Sequence, residues 1–136
     1  MRPTDEERRI VRDRAERAEQ KARKRFHRIM EVAERAGTEA EAKAAAWAGR
    51  KGYSPGDANE ISLKANREAQ LLIWIKVYLR TEERDIERAF DMPDEERFVE
   101  EALEAAGELA AAELGLDDWR WWECAYDGEY HEDESV

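Results

Sequence analysis

One cysteine, three prolines and seven glycines are all that the 136 residues contain, and each scarcity excludes something. The lone Cys124 leaves no intramolecular disulfide framework and fits a reducing compartment. Glycine and proline cluster at a few points, which is the profile of an all-helical protein. The longest apolar run, Leu71 to Leu79, is nine residues long and contains Lys76, far too short to span a bilayer, so no membrane partner is expected. Met1 leads into a charged segment rather than an apolar h-region, so no secretory leader is read and a cytoplasmic location is expected. No glycine-rich phosphate loop and no nucleophile elbow occurs. His27 lacks the Glu-x-x-His spacing of di-iron bundles. His131, with Glu129, Glu132 and Asp133, offers a single imidazole in a polar tail. Cys124 has no histidine near it in sequence, and Glu123 and Asp127 beside it raise a thiol pKa. The chain is read as no enzyme, with no catalytic residue, no metal and no cofactor.

What is there is charge, and it is sorted. Residues 1–35 hold 12 Lys/Arg against 8 Asp/Glu, residues 36–90 balance at 9 against 9, and residues 91–136 hold only Arg97 and Arg120 against 17 acids. The formal net charge of −11 thus belongs to the last third. Such a chain can pair its own ends, or offer a basic and an acidic face to different partners. Hydrophobic residues make up 42% of the composition, but 22 residues are alanines, so the core is modest and fits a single domain. Arginine outnumbers lysine 17 to 6, the mark of a GC-rich coding genome; a designed helical bundle is the alternative origin.

Periodicity predicts a first helix through Val11, Ala15, Ala18, Ala22, Phe26, Ile29, Ala33 and Ala36. Thr4 and Glu7 form a capping box at its start and Gly37 ends it. Thr38 and Glu41 repeat the capping pattern, opening a second helix to about Gly49 with Trp47 as its anchor. The loop 49–57 follows. Asp57 and Glu60 cap a third helix through Ile61, Ala65, Ala69, Leu72, Lys76, Leu79, Ile86 and Phe90, with a break near Thr81 as its weak point. Its run 71–79 is apolar all round and is expected to form the centre of the core, with Lys76, the one ionisable group set inside it, snorkelling or paired with a carboxylate. Pro93 opens a fourth helix with apolar positions Phe98, Ala102, Ala105, Leu109 and Ala112, closed by Gly115. A short fifth helix from Asp117 or Asp118 carries Trp119, Trp122 and Tyr126 on one face. The expected architecture is an all-α, four- to five-helix bundle with short loops, residues 1–127 forming the single helical domain and 128–136 a flexible acidic tail.

Residues 24–54 combine a basic start, the apolar pair Ile29 and Met30, a helix end at Ala33 and Glu34, and the capping run Thr38-Glu39-Ala40-Glu41-Ala42. An alanine-rich helix then ends before a glycine-tyrosine turn. In this order of features the segment resembles a helical-hairpin domain of unknown function found in actinobacterial and phage proteins. The resemblance implies a bacterial or phage source and no activity.

Three surfaces are candidate sites. Glu100, Glu101, Glu104 and Glu108, with Asp117 and Asp118, form an acidic face suited to a protein with a basic surface. Trp119, Trp121, Trp122 and Tyr126 are the aromatic anchors beside it, at least one of Trp121 and Trp122 lying near the surface. Arg17, Lys21, Lys24, Arg25 and Arg28 share a helical face that suits a phosphate backbone. The bland counterpart is neutralisation within the chain, through the i,i+4 pairs Asp13–Arg17, Glu19–Arg23 and Glu31–Arg35 and through the acidic fourth helix. The function read from these is a non-enzymatic interaction protein (inhibitor, adaptor or assembly component) using the acidic and aromatic surface. Nucleic-acid binding through the first helix is the alternative, and self-association into a homo-oligomer stays open.

Overall fold

Four helices account for almost all of residues 2–78, 93–116 and 118–126, which are the residues the computed structural model describes, and no strand occurs among them. They are α1 (Asp5–Lys51), α2 (Pro55–Tyr78), α3 (Glu95–Glu113) and α4 (Trp121–Tyr126). The chain divides into two compact units, one of residues 1–26 with 94–136 and one of residues 27–93. Among the described residues no helix is long and apolar enough to cross a membrane.

The start of α1 is the expected reciprocal box. Glu7 accepts from the Thr4 backbone N–H at 2.9 Å, and Thr4 Oγ1 accepts from the Glu7 N–H at 3.1 Å. Asp5, Glu6 and Glu7 lie at its positive end and Arg50 and Lys51 at its negative end, each sign matched to the helix dipole.

The break expected at Gly37 does not occur. α1 is one helix of 47 residues, and the second helix expected over 38–49 is its continuation. Gly37 does not take a positive φ; it is buried instead, and a Cβ there would lie 2.5 Å from Asn66 Oδ1 and 2.9 Å from Gln70 Cγ. It makes room for α2, and Thr38 Oγ1 donates back to the Glu34 carbonyl at 3.0 Å, as a hydroxyl inside a helix does, rather than capping a new one. Gly52 is the true stop. At φ 78° it closes a Schellman pair in which Gly52 N–H donates to Gly49 O and Tyr53 N–H to Ala48 O. Trp47 is therefore no anchor: the buried stripe through Ile29, Ala33 and Gly37 reaches Ala48, leaving the indole 42% exposed against the Tyr53 ring at 5.6 Å.

α2 begins earlier than expected, at Pro55. Ser54 caps it, its Oγ accepting from the Asp57 N–H at 3.2 Å, and proline sits where a missing N–H costs nothing. The turn between α1 and α2 is so short that Gly37 meets Asn66 and Gln70 across an antiparallel hairpin. Leu71 and Trp74 are buried, but Leu72 and Lys76 are exposed, so the apolar run is not enclosed all round and Lys76 stays in water. The continuation through Ile86 to Phe90, and the break near Thr81, lie outside the described residues.

α3 is capped by Asp94, whose side chain accepts from the Glu96 N–H at 3.2 Å, with Pro93 just outside. It ends as expected at Gly115 (φ 74°), where Leu116 N–H donates to Ala111 O at 2.8 Å. Its buried face is Phe98, Val99, Gly107, Ala110 and Ala111, whereas Ala105, Leu109 and Ala112 are exposed. Alanines on every side of this helix satisfy two helical stripes, and the one that meets Trp121 is the one buried. In the first unit Val11 and Ala15 of α1 join Ala110, Ala111, Leu116, Trp121, Cys124 and Ala125 in one core, with Phe26 edge-on to Phe98 at 5.5 Å.

Candidate functional site

Trp121 decides what the aromatic segment can offer. α4 starts at Trp121 itself, so Trp119 precedes the helix and does not share a face with Trp122 and Tyr126. The Trp121 indole lies over Gly107, where a Cβ would come within 2.7 Å of its Cδ2 and Cε3, and it is held edge-on by Trp122 at 6.2 Å and Tyr126 at 5.9 Å. It is a core residue, unavailable to a partner, and its Nε1–H is buried without a hydrogen-bond acceptor among the described residues. Trp119, Trp122 and Tyr126 are half-buried around the core and keep part of each ring outward. The Arg120 guanidinium stands 5.2 Å over the Trp122 ring, a cation–π contact within the chain.

Along α3 the acids divide into two sets. Glu113 pairs with Arg14, and Glu95 and Glu96 share Arg23 Nη1 at 3.4 and 3.2 Å. Glu19 completes that cluster from α1, 3.7 Å from Arg23, and the hydrogen bond that Arg23 donates to Glu96 is the main cause holding its guanidinium above its ordinary pKa. The two charged regions of the first unit thus meet, through cations 72 to 99 positions away from their carboxylates, a pairing no local spacing announces. The second set, Glu100, Glu104 and Glu108, is exposed, and among the described residues none of the three enters an ion pair. Glu101 is half-buried and pairs with Arg97 at 3.4 Å. Asp118 is exposed; Asp117, like the tail 128–136 with His131, lies outside the described residues.

Arg17, Lys21, Lys24, Arg25 and Arg28 are all exposed on α1. Of the expected local pairs only Glu19–Arg23 forms among the described residues; Asp13–Arg17 and Glu31–Arg35 do not. The carboxylates of α3 reach Arg14 and Arg23 and none of these five.

Cys124 is fully buried, and burial is the main cause raising its thiol pKa, with Glu123 and Glu7 adding to it and Arg8 opposing. Such a thiol is a packing element. Among the described residues no group of three or more His, Cys, Asp or Glu is gathered to hold a metal ion, and His27 is exposed on α1. What the sequence hid is the exposed Leu109 on α3 and the Trp47–Tyr53 pair beside the α1–α2 turn, since both residues of the helical stripes looked apolar and inward. No protein-family model, no curated protein and no solved structure matches the chain.

Proposed function

We propose that this chain is a non-enzymatic interaction protein, a helical bundle with an acidic tail over 128–136, that docks a partner's basic surface on α3. The observation that carries this reading is the row Glu100, Glu104 and Glu108, three exposed carboxylates one turn apart with no counter-ion among the described residues. Like charges at i,i+4 repel by a few tenths of a kcal/mol per pair. A cationic surface relieves that repulsion on contact and is steered toward it beforehand. Asp118 extends the charge, Leu109 adds exposed apolar area, and Trp119, Trp122 and Tyr126 supply partly exposed rings for the buried contact. An inhibitor, adaptor or assembly component in a bacterial or phage cytoplasm is the role this surface fits.

The test is a tagged capture from the native source with nuclease present, run in parallel with the triple variant Glu100→Lys, Glu104→Lys and Glu108→Lys. A protein partner recovered by the native chain and lost by the variant, with helicity by circular dichroism unchanged, supports the reading. Equal recovery by both chains refutes it.

A further inference from the structure

The free cations of α1 are not used by that reading, and in the first unit they form a surface of their own. Arg17, Lys21, Lys24 and Arg25 are exposed and enter no ion pair among the described residues. At ~100° per residue they occupy an arc of roughly 100°, turned about 120° from the buried stripe of Val11, Ala15, Ala22 and Phe26. At ~1.5 Å rise per residue they extend along about 12 Å of helix axis.

We infer that this face binds the phosphate backbone of double-helical nucleic acid. About 12 Å of duplex carries roughly seven phosphate charges, so four cations held in register on a rigid helix match it in length and sign. The face holds no aromatic ring, which excludes the stacking platform that single strands require. The apolar side of this stretch of α1 is buried against α3 and α4, so it cannot lie in a lipid interface as an amphipathic membrane helix does. The chain's net charge of −11 does not cancel the attraction. The carboxylates of α3 that pair with α1, Glu95, Glu96 and Glu113, are already held by Arg23 and Arg14. On α1 itself Asp13 and Glu16 stand within a turn of Arg17 and offset part of its charge, and acids farther than the ~8 Å screening length of physiological salt act only weakly. With no base-reading element on the face, binding is independent of sequence. Arg28 is exposed one turn further along α1, in the second unit, and is not counted among the four.

The experiment is fluorescence anisotropy of the full chain with a labelled DNA duplex of about 24 mixed-sequence base pairs over a salt series. Four phosphate contacts give a slope of log K against log salt near −3.6, or roughly a 100-fold loss of affinity between about 50 and about 200 mM salt. The variant Lys21→Glu, Lys24→Glu and Arg25→Glu leaves one of the four cations. Its slope falls to about −0.9, and its affinity at low salt drops more than about 100-fold. The control variant Lys43→Glu, Arg50→Glu and Lys51→Glu changes net charge equally at exposed positions of the second unit and keeps near-native affinity. Circular dichroism verifies that all three chains are folded. Absence of duplex binding at low salt, a flat salt response, or equal losses in the two variants overturns the inference. So does tighter binding to anionic vesicles or to a single strand than to the duplex.

Discussion

Replacing Gly107 by alanine tests the packing of the first unit at its tightest point. Alanine is favoured over glycine inside a helix by about 1 kcal/mol, so on propensity alone Gly107→Ala stabilises α3. The added methyl, however, meets Trp121 Cδ2 and Cε3 at 2.7 Å and Cγ at 2.9 Å. The ring cannot swing aside freely, because Trp122 and Tyr126 both stand edge-on to it and the surrounding core is buried. Overpacking costs about 1–3 kcal/mol, and with two ring atoms at 2.7 Å the upper part of that range applies, about 2–3 kcal/mol, which exceeds the propensity gain. The expected net loss is about 1–2 kcal/mol, or a Tm lower by roughly 3–8 °C for a chain of this size. Gly49→Ala is the matched control: Gly49 lies in α1 with nothing within 4 Å of its Cβ position, and its replacement is expected to raise stability by about 0.5–1 kcal/mol. Urea and thermal unfolding followed by far-UV circular dichroism give both values, and near-UV signals report the indole. Trp121→Leu in the Gly107→Ala background removes the ring that clashes, so the cycle is non-additive, with the double variant losing less than the sum of the singles. A Gly107→Ala chain as stable as the native one, or stabilised like Gly49→Ala, refutes the packing argument.

Gly37→Ala, where a Cβ would press on Asn66 Oδ1 at 2.5 Å and Gln70 Cγ at 2.9 Å, is expected to lower stability by about 1 kcal/mol by urea unfolding, and Asn66→Ala in that background is expected to restore the part due to Asn66. Ser54→Ala removes the cap of α2 and costs about 1 kcal/mol in the same assay, while Ser54→Asp retains native stability. Arg23→Ala lowers Tm in low salt, and the difference from the native chain shrinks as salt rises, because its partners Glu19, Glu95 and Glu96 are screened. Burial raises the Cys124 thiol pKa, so the unfolded chain gives up its proton at lower pH than the folded one does. That contribution is fully present below the ordinary thiol pKa of about 8.5 and is lost as pH climbs past it, so the urea midpoint falls there in the native chain and falls less in Cys124→Ala.

The residues that announced their own structure are those whose chemistry is local. Thr4 and Glu7, Gly115, and the stripe Val11, Ala15, Ala22, Phe26, Ile29 and Ala33 each act within one or two helical turns, and each was legible. Gly37 was misread because glycine followed by Thr38 and Glu41 is also how a helix ends and another begins. Only the presence of Asn66 and Gln70, some thirty positions on, turns it into a packing glycine. Leu109 was placed on the wrong face for a similar reason: in an alanine-rich helix two stripes have the right period, and a distant tryptophan selects one. Of the candidate surfaces, the outward direction of Glu100, Glu104 and Glu108 and of Arg17, Lys21, Lys24 and Arg25 followed from helical spacing. The burial of Trp121, and the choice of Arg14 and Arg23 as counter-ions, depend on contacts between segments far apart in sequence, which spacing cannot encode.

The first unit is assembled from the two ends of the chain, with residues 27–93 between them. During synthesis Val11, Ala15 and Phe26 leave the ribosome well before Phe98, Ala110, Leu116 and Trp121, which cover them, are made. The α1–α2 hairpin can close as soon as residue 78 is out. The apolar stripe on the front of α1 waits, at about 5–20 residues per second, for several seconds of further translation. Small side chains suit that interval: Ala15 and Ala22 expose less sticky surface to solvent than leucines would at the same positions. An alanine-rich front half therefore serves the nascent chain as well as the finished one, trading core size for a long, harmless wait.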